Sequence, residues 1–378
     1  MGSDNQTFEI VVIGGGIFGL SVARHAAGLG LSVLLAEADR IGQGPSGGLL
    51  GALMPHIPTG WNAKKQFQFE ALCALPGFVA ELEAETGLSC GYARSGRLMP
   101  LRTERFAMVA REREAAAPAV WGDFRFARGD DACFSDWLST DAAPHGYVLD
   151  TLAARLQPRA YLAALAASLR GRASVREGMR FDGFSDGVAR FNGGRERVRA
   201  GAVVLAQGYQ TFDHLHQVFA LDIGSGVKGQ AALFRLPKPL TGQVALPVIY
   251  DDGVYIVAHD DGTCAVGSTS EKDWQDAKAT DGALDSVLEK AFALCPSLKQ
   301  ADLVERWAGV RPKCHAREPI VGQLFANQPL YVATGGFKVS FGIAHKVAAA
   351  LGDVLAGRSD KLALPDSFKV EHHLDPRR

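Results

Sequence analysis

Three glycines near the start of the chain, Gly14, Gly16 and Gly19, stand in the spacing G-x-G-x-x-G. In that spacing the first glycine allows a sharp turn, the second lets the backbone approach a pyrophosphate, and the third lets a helix pack closely against a strand. Glu37 follows at a distance where a carboxylate accepts hydrogen bonds from the ribose hydroxyls of a dinucleotide. These four residues predict a dinucleotide-binding site.

The elements that must position these residues surround them in the sequence. The apolar run 10–13 predicts a buried strand of a parallel sheet, and residues 17–29 predict a helix with small or apolar residues on one face. A second short strand, 33–35, ends just before Glu37. The start of the predicted helix offers free N–H groups and the positive end of its dipole to phosphates.

The composition limits the classes of protein to which this chain can belong. The 378 residues carry a formal net charge of −1, and 47% of them are hydrophobic and 21% charged, which is ordinary for a globular protein. The near-zero charge gives no reason to expect nucleic acid or an anionic membrane as a partner. We find no apolar run long enough to span a bilayer and no pattern typical of a signal peptide, so we expect a cytoplasmic enzyme.

The cysteines and histidines indicate no metal site. The six cysteines form no C-x-x-C pair, so we expect buried free thiols rather than a disulfide framework or bound metal. Four histidines could act as acids or bases, but the sequence shows no partner for any of them, and structural or exposed roles are expected. The residues are Cys73, Cys90, Cys133, Cys264, Cys295 and Cys314, and His56, His259, His315 and His345.

Further along the chain, segments typical of an α/β domain alternate with segments typical of an antiparallel sheet. Helices are predicted at 66–85, interrupted at Pro76 and Gly77, and at 103–115, 158–169, 281–294 and 342–355. Strands are predicted at 92–101, 147–150, 202–206 and 330–333, with antiparallel strands across 173–201 and 229–269. The fold class expected is therefore α/β plus α+β: a Rossmann-like dinucleotide domain interleaved with a domain built on a mainly antiparallel sheet.

Five motifs together resemble the D-amino-acid-oxidase superfamily of FAD-dependent oxidoreductases, and within it the glycine oxidases and monomeric sarcosine oxidases. They are the glycine fingerprint, SGGLLGAL from Ser46, VVLAQGY from Val203, WAGVRP from Trp307, and GGFKVSFG from Gly335. The resemblance covers nearly the whole chain and is weakest over 86–146. It implies a discontinuous FAD-binding domain of residues 1–85, 147–220 and 300–378, and a substrate domain of residues 86–146 and 221–299.

The resemblance also implies which residues hold the FAD. The loop from Ser46 matches the segment along the pyrophosphate and flavin, Val175 matches the strand that meets the adenine, and the final loop faces the pyrimidine end of the flavin. Cys314 lies some positions away from the flavin-linked cysteine of sarcosine oxidases, so we expect non-covalent FAD. The implied cofactor residues are Gly14, Gly16, Ile17, Phe18, Gly19, Glu37, Ala38, Ser46, Gly47, Gly48, Leu49, Leu50, Val175, Ala206, Gly208, Arg311, Gly336, Phe337, Lys338, Val339 and Ser340.

Three residues match positions that bind a substrate carboxylate in the family: Arg311, Tyr255 and Lys338. A planar guanidinium suits a carboxylate because it forms two parallel hydrogen bonds. The expected reaction is oxidation of the C–N bond of a small amino acid, foremost an N-substituted glycine such as sarcosine or iminodiacetate, or glycine, with O2 as acceptor. Ala265 departs from the family pattern, since sarcosine oxidases have a lysine there.

Other functions are compatible with the same sequence. A D-amino-acid dehydrogenase of this fold would pass electrons to a quinone or carrier protein. An oxidase that removes a carboxymethyl group from a wobble uridine of tRNA is a further alternative, although the chain shows no basic stripe. A flavoprotein subunit without independent turnover is the third.

Overall fold

The computed structural model describes residues 6–130, 134–237 and 245–375, so that Cys133 lies outside the described residues. The helices are α1 Ile17–Gly28, α2 Ala63–Thr86, α3 Glu104–Trp121, α4 Pro158–Ser168, α5 Gln210–Phe219, α6 Gly282–Leu294, α7 Ser340–Leu355 and α8 Val370–His373. The strands are β1 Thr7–Ile13, β2 Val33–Ala36, β3 Ala52–Leu53, β4 Arg97–Pro100, β5 Phe126–Gly129, β6 Tyr147–Asp150, β7 Ala154–Arg155, β8 Ser174–Arg176, β9 Phe181–Ser185, β10 Val188–Phe191, β11 Glu196–Leu205, β12 Gly224–Arg235, β13 Val248–Asp251, β14 Val254–Ala258, β15 Thr263–Gly267, β16 Asp302–Cys314, β17 Ile320–Phe325 and β18 Gln328–Thr334.

The first sheet is rich in parallel strands and has the order β17-β18-β11-β1-β2-β8. Strand β1 pairs in parallel with β11 on one side and with β2 on the other, and β18 continues the parallel run beside β11. Strands β9 and β10 extend it as an antiparallel hairpin beside β11. The start, middle and end of the chain therefore meet in one sheet.

Both faces of this sheet are buried, which explains the continuous apolar run in β1. Ile10 and Val12 pack into the cluster that contains α1, α2, α4 and α7, while Val11 and Ile13 pack into the cluster on the opposite face. Each fully buried aliphatic side chain of this kind stabilises the fold by about 1.5–3 kcal/mol. A strand covered on both faces shows no alternation of apolar and polar residues.

The second sheet has the order β16-β12-β15-β14-β13-β4-β6-β5 and is antiparallel except where β13 pairs with β4. Helix α6 packs on one face through Leu284 and Leu288. The other face carries Ala231, Val257 and Ala265, which pack against Leu49 of the loop after β2. A mixed α/β fold with one parallel-rich and one mainly antiparallel sheet was the prediction, and it is confirmed.

Segments of the two sheets alternate along the chain. Strands β6 and β16 both pair in the second sheet, although the predicted boundaries at 147 and 300 assign them to the FAD-binding domain. The strand pairing alone does not define domains, so the division into 1–85, 147–220 and 300–378 against 86–146 and 221–299 stays a prediction.

Helix α2 corrects the prediction of a break at Pro76 and Gly77, because it continues through both residues. Proline has no N–H, so the carbonyl of Leu72 loses its partner in the helix. The Arg94 guanidinium replaces that partner: Nη2 donates to the Leu72 oxygen at 2.7 Å, and Nη1 donates to the Leu152 oxygen at 2.6 Å. A side chain distant in sequence thus allows the helix to continue.

Several other predictions need correction. Strand β8 pairs in parallel with β2, whereas the sequence predicted only antiparallel strands in that region. Strand β4 starts at Arg97 rather than at 92, and helix α3 extends to Trp121 rather than to 115. Cys73 is exposed, whereas Cys90, Cys264, Cys295 and Cys314 are buried free thiols as expected.

We predict that the contact between Arg94 and α2 is energetically coupled to Pro76. Arg94→Met should lower the free energy of unfolding by about 2 kcal/mol, because it removes charged hydrogen bonds to two carbonyl groups. In a Pro76→Ala background the loss should be about 1 kcal/mol smaller, since the alanine N–H can bond to the Leu72 carbonyl. Urea unfolding of the four proteins measures this, with exposed Arg111→Met as control. An equal loss in both backgrounds would contradict the coupling.

Candidate active site

A cavity of about 750 Å³ lies where the carboxyl ends of the parallel strands face the second sheet. Its walls come from many separate segments of the chain, among them its start, its middle and its end. Of the residues predicted to hold cofactor or substrate, those lining it are Gly14, Gly16, Ile17, Phe18, Glu37, Ala38, Ser46, Gly48, Leu49, Leu50, Ala206, Gly208, Tyr255, Arg311, Phe337, Lys338, Val339 and Ser340.

The glycine fingerprint forms one end of the cavity. Gly14 has a φ of +110°, and a Cβ there would strike the carbonyl oxygen of Ala206; a Cβ on Gly19 would strike that of Gly14. Helix α1 begins at Ile17 after Gly16, which has no side chain to cap it. The Ile17 N–H donates to Ser46 Oγ at 3.1 Å. A tight turn followed by an open helix N-terminus is what a pyrophosphate requires.

Glu37 stands at the end of β2 beside this turn. Its Oε2 accepts from the Gly15 N–H at 2.6 Å, and its Oε1 accepts from the Asp39 N–H at 2.9 Å. These bonds orient the carboxylate at the cavity wall, with Ala38 and Asp39 next to it. The geometry fits a ribose ligand, the role predicted for Glu37 from its spacing.

The loop after β2 joins the two sheets along the cavity. Residues Pro45–Gly47 form a 3-10 turn, and Arg159 Nε donates to the Gly47 oxygen at 2.9 Å. A Cβ on Gly48 would come within 3.0 Å of the Trp307 ring, so the small residue allows close packing against β16. The oxygen of Leu49 lies 3.0 Å from Nε2 of the buried His259. Helix α4 and the second sheet therefore fix this loop.

Arg311 lies on β16 at the other end of the cavity. Its Nη1 donates to Ser268 Oγ at 2.9 Å and its Nη2 donates to the Thr269 oxygen at 2.6 Å. Its Nε is buried and has no hydrogen-bond partner in the part of the chain that the structure describes. Burial lowers the pKa of Arg311 to about 10, and the guanidinium stays charged at neutral pH. An anionic ligand would supply the missing partner.

Tyr255 and Lys338 lie close to Arg311, as the prediction of a common substrate site requires. Lys338 Nζ is 5.0 Å from the centroid of the Tyr255 ring, and Arg311 Cζ is 5.2 Å from that of Phe337. Burial, with the charges of Arg311 and Lys313, lowers the pKa of Lys338 to about 8. Burial raises the pKa of Tyr255, so its hydroxyl is protonated at neutral pH.

Four predicted cofactor residues do not line the cavity. Gly19 packs against Gly14, and Gly336 lies against the Phe18 ring, where a Cβ would come within 2.8 Å. Gly47 is buried in its 3-10 turn. Val175 lies on β8 beside Leu35 and is 38% exposed. The roles assigned to them stay predictions.

The structure adds cavity residues that the sequence did not single out. Arg97, Tyr250, Ser268 and Gln207 line it, and so does Trp307, which only its place in the WAGVRP motif could have marked. Arg97 could have been noticed as a lone arginine in an otherwise apolar strand. Of the histidines, His56 lines the cavity; burial and the charges of Lys64, Lys65 and Arg97 lower its pKa to about 4, so it is neutral.

The remaining histidines and Cys314 lie elsewhere. His315 pairs with Asp222 at 3.1 Å on the surface, and His345 is buried against the Phe78 ring. Cys314 is buried beneath Gly335, and burial raises the pKa of its thiol to about 12. Within the described residues no group of His, Cys, Asp or Glu side chains could hold a metal ion. No described helix combines the length and hydropathy needed to cross a membrane.

Comparison with known proteins decides the family. The model of the FAD-dependent oxidoreductase family (DAO) matches residues 9–350. The chain belongs to this family. The residues of the cavity fit FAD: the Gly14 turn and the N-terminus of α1 offer a place for its pyrophosphate, and Glu37 a ligand for its ribose. The predicted cofactor and the prediction of an enzyme are confirmed, while the non-covalent attachment stays a prediction.

Named relatives are similar to the chain at low identity. It is 26% identical over 371 residues to the bifunctional protein ThiO/ThiG of Trichormus variabilis, covering 94% of this chain but 54%, about half, of that protein. It is 25% identical to a glycine oxidase of Geobacillus kaustophilus, covering 88% of each. The crystal structure of glycine oxidase from that organism superposes with a TM-score of 0.84 at 22% identity, covering 97% of this chain and 99% of that one.

A further solved structure, an iminodiacetate oxidase from Chelativorans sp. BNC1, has a TM-score of 0.79 and 22% identity, with 95% of this chain and 98% of that chain covered. At this identity the structural likeness defines the fold. The substrate must be argued from the cavity itself.

Glu37 provides a test of the FAD site. Glu37→Gln should weaken binding of FAD to the apoprotein about tenfold, because a charge-assisted hydrogen bond becomes neutral. Quenching of flavin fluorescence measures the Kd. Asp39→Asn is the matched control, since Asp39 lines the same wall but its carboxylate pairs with Lys278 at 3.9 Å. An unchanged Kd for Glu37→Gln would contradict the ribose role.

The pH dependence of carboxylate binding tests the predicted role of Lys338. A lysine with a pKa of about 8 is charged below that pH and neutral above it, so affinity for a carboxylate should be full below pH 8 and fall as the pH rises through it. Titration with methoxyacetate, which has no amine to ionise, measures this. Lys338→Met should abolish the dependence, whereas Lys313→Met should keep it with a midpoint at higher pH, because the charge of Lys313 helps to lower the pKa of Lys338. A dependence that survives in Lys338→Met would exclude Lys338.

Proposed function

We propose that this chain catalyses the FAD-dependent oxidation of the C–N bond of a small amino acid, foremost an N-substituted glycine such as sarcosine or iminodiacetate, or glycine itself. The observation that carries the proposal is Arg311: a half-buried guanidinium whose Nε is buried and has no partner among the described residues, in the same cavity as the Gly14 turn and the N-terminus of α1. Leaving a buried donor of a cation without a partner is costly, and a substrate carboxylate would offset that cost.

The side chains around Arg311 suit an amino-acid carboxylate. Arg311 presents a planar donor group, Tyr255 adds a protonated hydroxyl, and Lys338 adds a cation. Together they would hold the carboxylate end and leave the α-carbon or its neighbouring CH₂ toward the cofactor. When bound, FAD supplies the acceptor for a hydride and passes the electrons to O2, giving H2O2. Positioning and exclusion of water would supply most of the rate.

The same cations favour the reactive form of the substrate. Oxidation requires a neutral amine, whose lone pair assists departure of the hydride. Arg311 and Lys338 line the cavity, and Lys313 is close enough to lower the pKa of Lys338. This positive charge disfavours a substrate ammonium and lowers its pKa. The oxidised product is an imine, which water hydrolyses to an amine and an oxo acid such as glyoxylate. No side chain needs to act as a strong base.

The relatives support the proposal by their names. The family includes glycine oxidases, and a structure of the same fold is an iminodiacetate oxidase. An oxidase of glycine and an oxidase of iminodiacetate both act on amino acids without a side chain. The rivals are a D-amino-acid dehydrogenase that uses a quinone or carrier and an oxidase acting on modified tRNA, and the first experiment distinguishes the dehydrogenase from the proposed oxidase.

That experiment is anaerobic mixing of the holoenzyme with glycine, sarcosine, iminodiacetate, D-alanine and D-proline, followed by admission of air. Loss of the absorbance of oxidised flavin with an N-substituted glycine, and H2O2 formation in air, is the expected result. Reduction only by D-amino acids with slow re-oxidation would favour the dehydrogenase. No reduction by any of the five would exclude small amino acids as substrates.

Arg311→Leu should lower kcat/KM for the best of these substrates by about 100-fold or more, because it removes a buried charged partner of the carboxylate. Arg311→Lys should recover only part of the loss, since an ammonium lacks the planar pair of donors. The matched control is Arg306→Leu on the same strand, where Arg306 pairs with Asp285 at 2.8 Å outside the cavity. Equal effects of the leucine substitutions at 306 and 311 would contradict a carboxylate at Arg311.

A further inference from the structure

Arg97 is a second arginine in the wall of the cavity, and it is buried. It begins strand β4 and is 5% exposed. Its Nε donates to Asp150 Oδ2 at 2.5 Å, and the fully buried Asp150 also accepts from the Ala153 N–H at 2.8 Å. The Nη2 of Arg97 is buried and has no hydrogen-bond partner among the described residues. One edge of the guanidinium is therefore fixed by Asp150, while a further donor has no partner.

The position of Arg97 connects it to the predicted substrate site. Its Cζ lies 6.0 Å from the centroid of the Tyr250 ring, and the Tyr250 and Tyr255 rings are 4.8 Å apart. Burial raises the pKa of Tyr255, and the charges of Arg311 and Arg97 both oppose that rise. Both guanidiniums thus act on the same tyrosine at this end of the cavity.

Among the described residues, no acidic side chain lies in the part of the cavity wall around Arg97 to satisfy its free donor. His56 also lines the cavity and is neutral, because burial and the charges of Lys64, Lys65 and Arg97 lower its pKa. If Arg97 served only to neutralise Asp150, a buried Nη2 without a partner would cost about 1–3 kcal/mol with no compensation. A ligand with an acceptor at this place would remove that cost.

We propose that Arg97 binds a second carboxylate of the substrate, so that the enzyme prefers a secondary amine that carries a carboxylate on each arm. This rests on the proposed function, in which Arg311 holds the first carboxylate. Asp150 holds the Arg97 side chain in one orientation, which reduces the entropy lost on binding. The two arginines then discriminate a dicarboxylate from a monocarboxylate, because a shorter substrate leaves the Nη2 of Arg97 unpaired.

Two ethers that cannot be oxidised test this by calorimetry on the FAD holoenzyme. Oxydiacetate carries a carboxylate on each arm, and methoxyacetate carries one. Arg97→Met should reduce the preference for oxydiacetate over methoxyacetate by about 100-fold. Arg155→Met is the matched control: Arg155 is equally buried and ion-paired, with Asp260, but does not line the cavity, so the preference should stay unchanged.

The outcomes separate the alternatives. Equal weakening of both ligands in Arg97→Met would show a packing role and overturn the proposal, as would unchanged binding of both. If Arg97→Met does not fold, Arg97→Met combined with Asp150→Asn removes the uncompensated charge, and the same loss of preference is expected. Among amines, Arg97→Met should raise KM for iminodiacetate far more than for sarcosine. A failure of the proposed oxidation would show as no flavin reduction, independently of these binding ratios.

Discussion

The close approach of β1, α1 and β11 at Gly14 and Gly19 is the constraint on which the rest of the structure depends. A side chain at Gly14 would strike the Ala206 carbonyl, and one at Gly19 would strike the Gly14 carbonyl. Because neither glycine has a side chain, the N-terminus of α1 lies directly at the ends of the parallel strands. The Ser46 loop, the end of β11 and the start of α7 can then converge on the same cavity, and the second sheet can close it.

The two ends of the cavity carry positive charge of different kinds. At the dinucleotide end, backbone N–H groups and a helix dipole provide partial positive charge, and Glu37 is already held by two N–H groups. At the other end the wall carries full positive charges on the side chains of Arg311, Lys338 and Arg97. Among the described residues only Arg97 of these three has a carboxylate partner. Unbalanced positive charge in a partly buried wall favours an anionic ligand and a neutral amine.

Tertiary partners overrule local sequence signals in several elements. Proline and glycine at 76 and 77 predicted a break, yet α2 continues because the Arg94 guanidinium bonds to the carbonyl that proline leaves unpaired. Strand β8 looks like part of a hairpin but pairs in parallel with β2 at the edge of the first sheet. Neither result follows from propensity within a window of neighbouring residues, because each depends on a group far away in the chain.

The sequence by itself determined the dinucleotide-binding fingerprint, the two kinds of sheet and the resemblance to the family, because glycine spacing, buried apolar runs and short motifs are local patterns that neighbouring residues are enough to define. It could not show that Arg97 and His56 line the same cavity as Arg311, or that Val175 and Gly47 do not line it. Only the tertiary structure decided these points. Which side chains meet in a cavity depends on strand register and sheet packing between distant segments, and a single sequence carries no local signal for either.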